Sequence, residues 1–362
     1  MDEEKQPQGD ELNEIPKIPE IDETSEESDA SSNDQKPLSV KSSQSSKSKT
    51  IALVATIVVI ITALCILAFS FFTKSWWFED KTETPTTKFD KTPIFTLENY
   101  PRVDASTATQ PLALAFMKNF TDKKDIDETS LNFTKTDEAY TKLIKGEVDL
   151  ILVTSPSDDE LKRAKDAGME LEVIPVVNEG FVFFVSQNNP VSNLSVEQVQ
   201  DIYQGKITNW KEVGGQDDEI QAFQRPVNSG SQTGMLDLVM KDKKLMEPPT
   251  DKIVGTMSAI INIVSGYDGT TTAIGYSYYY YATTMYQDID ASIASNIKLL
   301  KINDIAPDVE SIKSGAYPFR TAYYIVINKA ATKDSPTRKL AEAMLSDRGQ
   351  AVALEAQYVP IH

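Results

Sequence analysis

Short apolar runs alternate with amphipathic helical patterns throughout residues 93–362, and this alternation limits the fold more than any other feature. Runs rich in β-branched and aromatic residues predict buried strands at Val148–Val153, Phe181–Val185, Ala273–Tyr276 and Tyr323–Ile327. Helical spacing of apolar residues predicts helices at roughly Thr109–Phe120, Glu138–Lys145, Asp158–Ala167, Val196–Tyr203, Gln232–Lys241 and Ser335–Leu345. The order predicts an α/β fold with mostly parallel sheets, and about 270 residues suit two lobes better than one.

The first 50 residues differ in composition from this body. They contain 13 acidic and 6 basic residues and no aromatic side chain. Such a segment cannot bury enough apolar surface to offset the entropy lost on ordering. We therefore expect residues 1–50 to form a disordered acidic tail.

An uncharged run of 22 residues, Ile51–Phe72, follows the tail and is long enough to span a bilayer as a helix. Trp76 and Trp77, beside Lys74, resemble an interfacial aromatic belt. A cleaved signal peptide is the alternative, but the segment before the run is long and the run exceeds the ~7–15 residues of a signal core. We expect an uncleaved transmembrane anchor at 51–72 and a polar stalk at 73–92.

The orientation of this anchor rests on the segments that flank it. Lysines are nearly equal in number on the two sides, so the positive-inside rule decides little. The small tail and the large body favour a cytoplasmic N-terminus, a single pass through the cell membrane and an extracellular C-terminal domain.

Composition excludes several classes of function. The formal net charge is -18, and no basic stripe offsets it, so nucleic acid is not expected as a partner. The single histidine is His362, which argues against a Ser-His-Asp triad and against a histidine metal cluster. No spacing suggests a calcium loop or a nucleotide P-loop. We expect neither catalytic residues nor a cofactor or metal, and hence not an enzyme.

The segment from Gln224 to Gly234, Gln-Arg-Pro-Val-Asn-Ser-Gly-Ser-Gln-Thr-Gly, is the strongest candidate for a binding loop. Small hydroxylated residues and glycines follow Arg225 and lead into a helix, where free backbone N–H groups and the positive end of the helix dipole favour an anion. Arg225 adds a planar fork of donors. The alternative is a plain N-cap at Ser229, with Gln232 closing a capping box.

Three further helix starts carry hydroxyl groups. They are Asp104-Ala105-Ser106-Thr107-Ala108, Thr134-Lys135-Thr136 before a helix from Asp137, and Thr154-Ser155-Pro156-Ser157, where Ser157 and Glu160 form a capping box. Each of them alone is explained as a structural cap. Loops at the carboxyl ends of strands in open α/β sheets converge on one crevice, however, so together they predict an anion cage. The four tyrosines Tyr278–Tyr281 could stack against a ligand, but packing of aromatic side chains in a strand or at a strand-to-helix junction is the favoured interpretation.

Several segments, in one order along the body, resemble the phosphate ABC transporter substrate-binding proteins, which have the type II periplasmic-binding-protein fold. The Arg225–Gly234 loop looks like the phosphate-binding loop of that family. The other similar segments are Tyr203–Trp210 with Val213-Gly214-Gly215, Ala273–Tyr276, Tyr317–Arg320, Gly349-Gln350 and Tyr358–Pro360. The resemblance covers nearly the whole body.

The resemblance implies two α/β lobes that close over an oxyanion, with lobe 1 formed by residues 93–176 plus 316–362 and lobe 2 by residues 177–315. It also implies a ligand set drawn from both lobes, namely Ser106, Thr107, Thr136, Thr154, Arg225, Ser229, Gly230 and Ser231. The implied function is a membrane-anchored extracytoplasmic binding protein for phosphate or a related oxyanion that delivers it to an ABC permease. The alternative is a membrane-bound sensor or interaction module that is not coupled to transport.

Three departures from the family pattern concern the ligand. Thr154 stands where the family often carries an aspartate that accepts the proton of hydrogen phosphate. Lys135-Thr136-Asp137 replaces a Gly-Ser-Gly core, and Asn228 replaces an aspartate near the arginine. Loss of a buried acceptor weakens discrimination between hydrogen phosphate and sulfate, unless Asp104 or Asp137 supplies the acceptor.

Overall fold

The structure is a computed structural model that describes residues 90, 92–123, 126, 133–248, 250–266 and 271–362. The predicted tail at 1–50, the predicted anchor at 51–72 and nearly all of the predicted stalk at 73–92 lie outside the described residues. Within the described ranges, no helix is both long enough and apolar enough to cross a membrane.

Ten strands lie in the described residues. They are β1 Val103–Ala105, β2 Leu150–Val153, β3 Leu171–Ser186, β4 Asn193–Leu194, β5 Gln221–Ala222, β6 Ala273–Tyr278, β7 Ile297–Leu299, β8 Lys301–Ile302, β9 Arg320–Asn328 and β10 Val359–Pro360. All four strands predicted from the sequence are therefore confirmed. Every residue of β2 and β6, and every residue of β3 from Val176 to Ser186, is buried, as sheets covered on both sides require.

The α-helices alternate with these strands. They are α1 Gln110–Phe120, α2 Thr136–Ile144, α3 Asp158–Asp166, α4 Val196–Tyr203, α5 Gly230–Gly234, α6 Met257–Val264, α7 Tyr286–Ala294, α8 Val309–Ser314, α9 Pro336–Leu345 and α10 Asp347–Glu355. A 3₁₀ turn, Thr107–Thr109, leads into α1, and a π-helical segment, Met235–Met240, continues α5. The six helices predicted from the sequence are all present.

The prediction of mostly parallel sheets is wrong. The strand order is β1-β2-β9-β3-β6-β5. Only β1–β2, β5–β6 and the small β4–β8 pair are parallel within the described part of the chain, whereas β9 is antiparallel to both β2 and β3, and β6 is antiparallel to β3. One cause is the late return of the chain through β9, which enters between β2 and β3 and runs antiparallel to both.

The strand β3 joins the two halves of the fold. Its residues Leu171–Gly180 pair with β9, and its residues Phe181–Ser186 pair with β6 and β7. We call the part built on β1, β2, β9 and the start of β3 the first lobe, and the part built on β5, β6, β7 and the end of β3 the second lobe. The fold is thus α/β and two-lobed, as the sequence predicts.

Aromatic side chains fill the core of the second lobe beside this junction. Phe181 and Phe183 of β3 are fully buried and contact the rings of Tyr203, Tyr276 and Phe319, with centroids 5.4–6.1 Å apart. Edge-to-face aromatic pairs contribute about 0.5–1.5 kcal/mol each beyond their buried area. This packing lies beside the strand ends from which the loops of the candidate site emerge.

Candidate functional site

A cavity of about 430 Å³ lies between the two lobes, at the carboxyl ends of β1, β2 and β6. Loops from both lobes line it. All eight candidate residues predicted from the sequence are among its lining residues: Ser106, Thr107, Thr136, Thr154, Arg225, Ser229, Gly230 and Ser231. The predicted convergence of hydroxyl-bearing helix starts on one crevice is therefore observed.

Two helix starts of the first lobe are left open toward this cavity. Ser106 is the N-cap of the turn that leads into α1, and its side chain forms no capping hydrogen bond. The N-cap of α2 is Lys135, so this helix begins at Thr136, one residue before the predicted Asp137, and again has no side-chain cap. The first backbone N–H groups of a helix have no partner inside it, so both starts are available to an anion.

The arginine loop of the second lobe is only partly a conventional helix cap. The Ser229 hydroxyl accepts from Gln232 N at 3.3 Å, which confirms the N-cap. The Gln232 side chain does not close a capping box, however. Its Oε1 atom instead accepts from Arg225 N at 3.0 Å and from the Tyr276 hydroxyl. Gln232 therefore fixes the backbone of Arg225 rather than the start of the helix.

Arg225 is a buried cation that has no anionic partner in the described part of the chain. The residue is 9% exposed, and its Nη1 atom donates to Val254 O at 2.9 Å. Its Nε atom has no hydrogen-bond partner among the described residues. Burial lowers the pKa of Arg225, and only the Tyr276 and Tyr281 hydroxyls oppose that shift. An unpaired buried charge is energetically costly. An anion bound in the cavity would therefore stabilise the charge of Arg225.

Two buried hydroxyls in the same cavity also lack partners within the described ranges. They are Thr154 Oγ1 and Ser231 Oγ, and each residue is 3% exposed. The nearby Tyr278 hydroxyl donates to Gly230 O at 2.9 Å. Buried polar groups are nearly always hydrogen-bonded, so the clustering of these two hydroxyls with Arg225 Nε on one cavity marks the place where a ligand would complete their hydrogen bonds.

The acids near the cavity are already engaged. Asp104 is buried, accepts from Thr134 N at 2.8 Å and from the Thr134 hydroxyl at 2.7 Å, and pairs with Lys142 at 3.1 Å. It does not line the cavity, so the expectation that it could supply an acceptor there is wrong. Asp137 lines the cavity but is bound to Arg163. In the described part of the chain, no group of three or more His, Cys, Asp or Glu side chains is placed to hold a metal.

The two lobes touch across the cavity. A Cβ atom added to Gly230 would lie 2.5 Å from Thr154 Oγ1 and 2.8 Å from Thr136 Oγ1. At a second point, Asn228 Nδ2 donates to Asp159 Oδ2 at 3.1 Å, and the Ser157 hydroxyl donates to Asn228 Oδ1 at 3.3 Å. Asn228 can hold this position because its left-handed backbone, with φ of 62°, is tolerated by asparagine.

The contact at Gly230 predicts a large effect of one methyl group. In Gly230→Ala, the added carbon would force the threonine hydroxyls away from the arginine loop, so we expect affinity for phosphate to fall by roughly tenfold or more. The free energy of unfolding should change little, because alanine also favours a helical position by about 1 kcal/mol. Titration calorimetry measures the first quantity and urea unfolding the second.

Gly255→Ala is the matched control for this variant. Gly255 lines the same cavity, but its added Cβ would meet no atom within 4 Å. We expect this variant to bind phosphate as the parent does. Equal affinities of the Gly230→Ala variant and the parent would refute the importance of the cross-lobe contact.

Residues outside the predicted ligand set form the rest of the wall. Gly255, Thr256, Met257 and Ser258, at the start of α6, line the outer side of the cavity. Tyr278 and Tyr281 also line it; they are buried at a strand-to-helix junction as predicted, but they contribute to the site as well. The sequence feature that could have indicated this part of the wall is the N-cap residue Thr256 before the apolar run Met257–Val264.

The family of the chain follows from comparison with known proteins. The sequence profile of the PBP superfamily domain matches residues 96–348, and the chain belongs to this superfamily. The phosphate-binding protein PstS of Bacillus subtilis (strain 168) is 22% identical over 262 residues, which are 72% of this chain and 80% of that protein. The protein of the same name from Staphylococcus saprophyticus is 25% identical over 269 residues, covering 71% and 79%.

Solved structures show the same fold. A putative phosphate ABC transporter substrate-binding protein of Clostridium perfringens, solved with bound phosphate, has a TM-score of 0.57 at 22% identity and covers 73% of this chain and 100% of that one. An ABC-type phosphate transport receptor of Vibrio cholerae has a TM-score of 0.52 at 21% identity, covering 71% and 98%. The resemblance to phosphate ABC transporter substrate-binding proteins is therefore confirmed, as is the expectation of a binding protein rather than an enzyme.

Proposed function

We propose that this chain is an extracytoplasmic binding protein that takes up phosphate or a related tetrahedral oxyanion between its lobes and delivers it to an ABC permease. The single observation that carries the proposal is the buried Arg225, which has no carboxylate partner among the described residues, beside the Thr154 and Ser231 hydroxyls, which form no hydrogen bond with those residues. The names of the relatives agree with it, since they are phosphate-binding proteins.

The proposed ligand set is the group of eight residues predicted from the sequence. Arg225 and Ser231 donate from the second lobe, together with the backbone at Ser229 and Gly230. Thr136 and Thr154 donate from the first lobe with the helix start at Ser106 and Thr107. Hydrogen bonds to a charged group contribute about 1.5–3 kcal/mol each. Six to eight of them, less the costs of desolvation and ordering, are compatible with micromolar affinity, near -8 kcal/mol.

The lobes and the anchor belong to the same proposal. Residues 93–176 with 316–362 form lobe 1 and residues 177–315 form lobe 2, so a ligand held by both favours closure about β3 and β9. Residues 51–72 anchor the chain in the cell membrane with residues 1–50 in the cytoplasm. The uncharged run of 22 residues supports the anchor. A permease that accepts the loaded, closed form is the partner.

Titration calorimetry on the purified full-length chain tests the binding step. We expect heat from both phosphate and sulfate, with affinities within about tenfold of each other, because no unengaged carboxylate among the described lining residues faces the anion to reject sulfate. A folded protein that gives no heat with any tetrahedral oxyanion would refute the proposal. Binding of phosphate alone would show instead that a proton acceptor exists in the site.

A further inference from the structure

Two hydrogen bonds on the side chain of Asn228 tie the arginine loop to the first lobe. Its Nδ2 atom donates to Asp159 Oδ2 at 3.1 Å, and its Oδ1 atom accepts from the Ser157 hydroxyl at 3.3 Å. Ser157 is the N-cap of α3, and Asp159 lies in the first turn of that helix. Asn228 belongs to the second lobe and directly precedes Ser229 of the proposed ligand set. The bridge can therefore exist only while the lobes are close together.

The amide group of Asn228 suits both of its partners. Its N–H group can donate to the Asp159 carboxylate, and its oxygen can accept from the Ser157 hydroxyl. An ionised aspartate at this position has acceptors only, so it could not donate to Asp159 and would repel its charge. Asparagine, which replaces the aspartate of the family pattern here, therefore allows a bridge that an aspartate would prevent.

Asp159, the acceptor of this bridge, is itself held in place within the first lobe. Arg163 of the same helix has its Nε atom 3.0 Å from Asp159 Oδ2, and its Nη2 atom pairs with Asp137 of α2. Its Nη1 atom donates to the Thr141 hydroxyl at 2.7 Å. Asp137 directly follows Thr136 of the proposed ligand set, and both line the cavity. Because these contacts order the Asp159 side chain beforehand, less entropy is lost when the bridge forms.

We propose that Asn228 is a positioning residue that latches the two lobes together over the bound anion, through Asp159 and Ser157, and thereby slows release of the ligand. The polar atoms of its side chain are engaged by α3, so it acts through the position of the lobes. Whatever stabilises the closed form raises the apparent affinity of every ligand of that form by the same factor. The inference rests on the proposed function, because the latch affects binding only if the cavity takes up an anion.

Asn228→Gly removes the latch and keeps the loop, because glycine readily adopts the left-handed backbone of this position, with φ of 62°. Calorimetry on the full-length chain should show that the affinities for phosphate and sulfate both fall by about five- to thirtyfold, as expected for two hydrogen bonds at a partly exposed site. Release of radiolabelled phosphate into excess unlabelled phosphate should accelerate by the same factor. The thermal midpoint of the ligand-free variant confirms that it is folded.

A change on the opposite lobe separates a latch from local damage to the arginine loop. Asp159→Ala should weaken binding of both anions by about three- to tenfold. The double variant should bind no more than about twofold more weakly than Asn228→Gly alone, because both changes break the same bridge. Asp158→Ala is the matched control. It removes the same charge from the same helical turn, and Asp158 forms no hydrogen bond to the second lobe in the described ranges, so affinity should not fall.

The outcomes separate the latch from the proposed function. If the parent binds phosphate and Asn228→Gly binds it equally well, the latch is overturned and the oxyanion function stands. Additive losses in the double variant would also overturn the latch, because Asn228 and Asp159 would then act independently. A loss confined to one of the two anions would show that Asn228 contacts the ligand itself. A folded parent that gives no heat with either anion would overturn both proposals.

Discussion

Replacement of Arg225 by methionine should abolish anion binding without destabilising the ligand-free protein. Arg225 is 9% exposed and faces no carboxylate within the described ranges, so a bound anion would be the counter-charge of its guanidinium. Truncating one partner of a buried, hydrogen-bonded charge pair costs about 2–5 kcal/mol, which is roughly a 30- to 4,000-fold loss of affinity. Methionine has a similar length and fills the volume with flexible apolar atoms.

The stability of the ligand-free protein should not fall in Arg225→Met, although its affinity for the anion does. An unpaired buried cation opposes folding, so its removal should leave the free energy of unfolding unchanged or raise it. The only protein hydrogen bond that the guanidinium makes in the described residues, to Val254 O, offsets part of this gain. Urea unfolding without ligand measures the effect. A ligand at 100 times its dissociation constant adds about 2.7 kcal/mol to the parent, and this increment should be absent in the variant.

Arg225→Lys is the matched control. It keeps the charge but loses the planar fork that suits two oxygens at once, so its affinity should lie between those of the parent and Arg225→Met. If Arg225→Met binds phosphate as tightly as the parent, the arginine is not the counter-charge of the ligand. If Arg225→Met is instead much less stable than the parent without ligand, the arginine is chiefly a structural residue.

Local sequence patterns anticipated the binding loops because each loop is a helix start whose chemistry is local. Ser157 with Glu160 forms the predicted capping box, and Ser229 caps the arginine loop. The convergence of these starts follows from a general rule about strand ends. The hydrogen bonds of the Gln232 side chain could not be predicted from local patterns, because its partner Tyr276 lies 44 positions away in the sequence, on β6.

Strand direction was beyond the reach of local patterns for a similar reason. The apolar runs at β2, β3, β6 and β9 are equally compatible with parallel and antiparallel neighbours. The direction is set by where the chain returns, and β9 returns between β2 and β3. The C-terminal segments that resemble those of the family form hydrogen bonds that hold the returning chain against the first lobe. Gln350 Nε2 donates to Val176 O at 3.0 Å, and the Tyr358 hydroxyl donates to Ala108 O at 2.8 Å.

Glu179 also has a hydrogen-bond partner that is distant in the sequence, and we expect its substitution to have a large effect on stability. It lies on β3 one residue before the strand passes from the first lobe to the second, opposite Thr321 of β9. It is 2% exposed, and its Oε1 atom accepts from Gly180 N at 2.8 Å and from Tyr280 N at 3.3 Å. Burial raises the pKa of this carboxyl from 4.5 to about 7, against the lowering effect of these backbone hydrogen bonds.

The sign of the pH dependence follows from that shift. Between pH 4.5 and about 7 the folded state binds a proton that the unfolded state has released, so stability falls as pH rises through this window. A shift of about 2.5 pKa units corresponds to roughly 3 kcal/mol. Glutamine keeps the Oε1 acceptor and carries no charge. Glu179→Gln should therefore match the parent below pH 4.5 and exceed it by up to about 3 kcal/mol at pH 8.

Urea unfolding of ligand-free parent and variant, at several pH values from 4 to 8, measures the difference. Glu160→Gln is a useful companion, since burial also raises the pKa of Glu160 to about 7, and its Oε1 atom has no hydrogen-bond partner in the described residues. We expect Glu160→Gln to reduce the pH dependence of the free energy of unfolding by a similar amount, although Glu160 lies on α3 and not on β3. Parallel stability curves for the parent and Glu179→Gln across this range would mean that the carboxyl is already ionised at pH 5, in spite of its burial between the lobes.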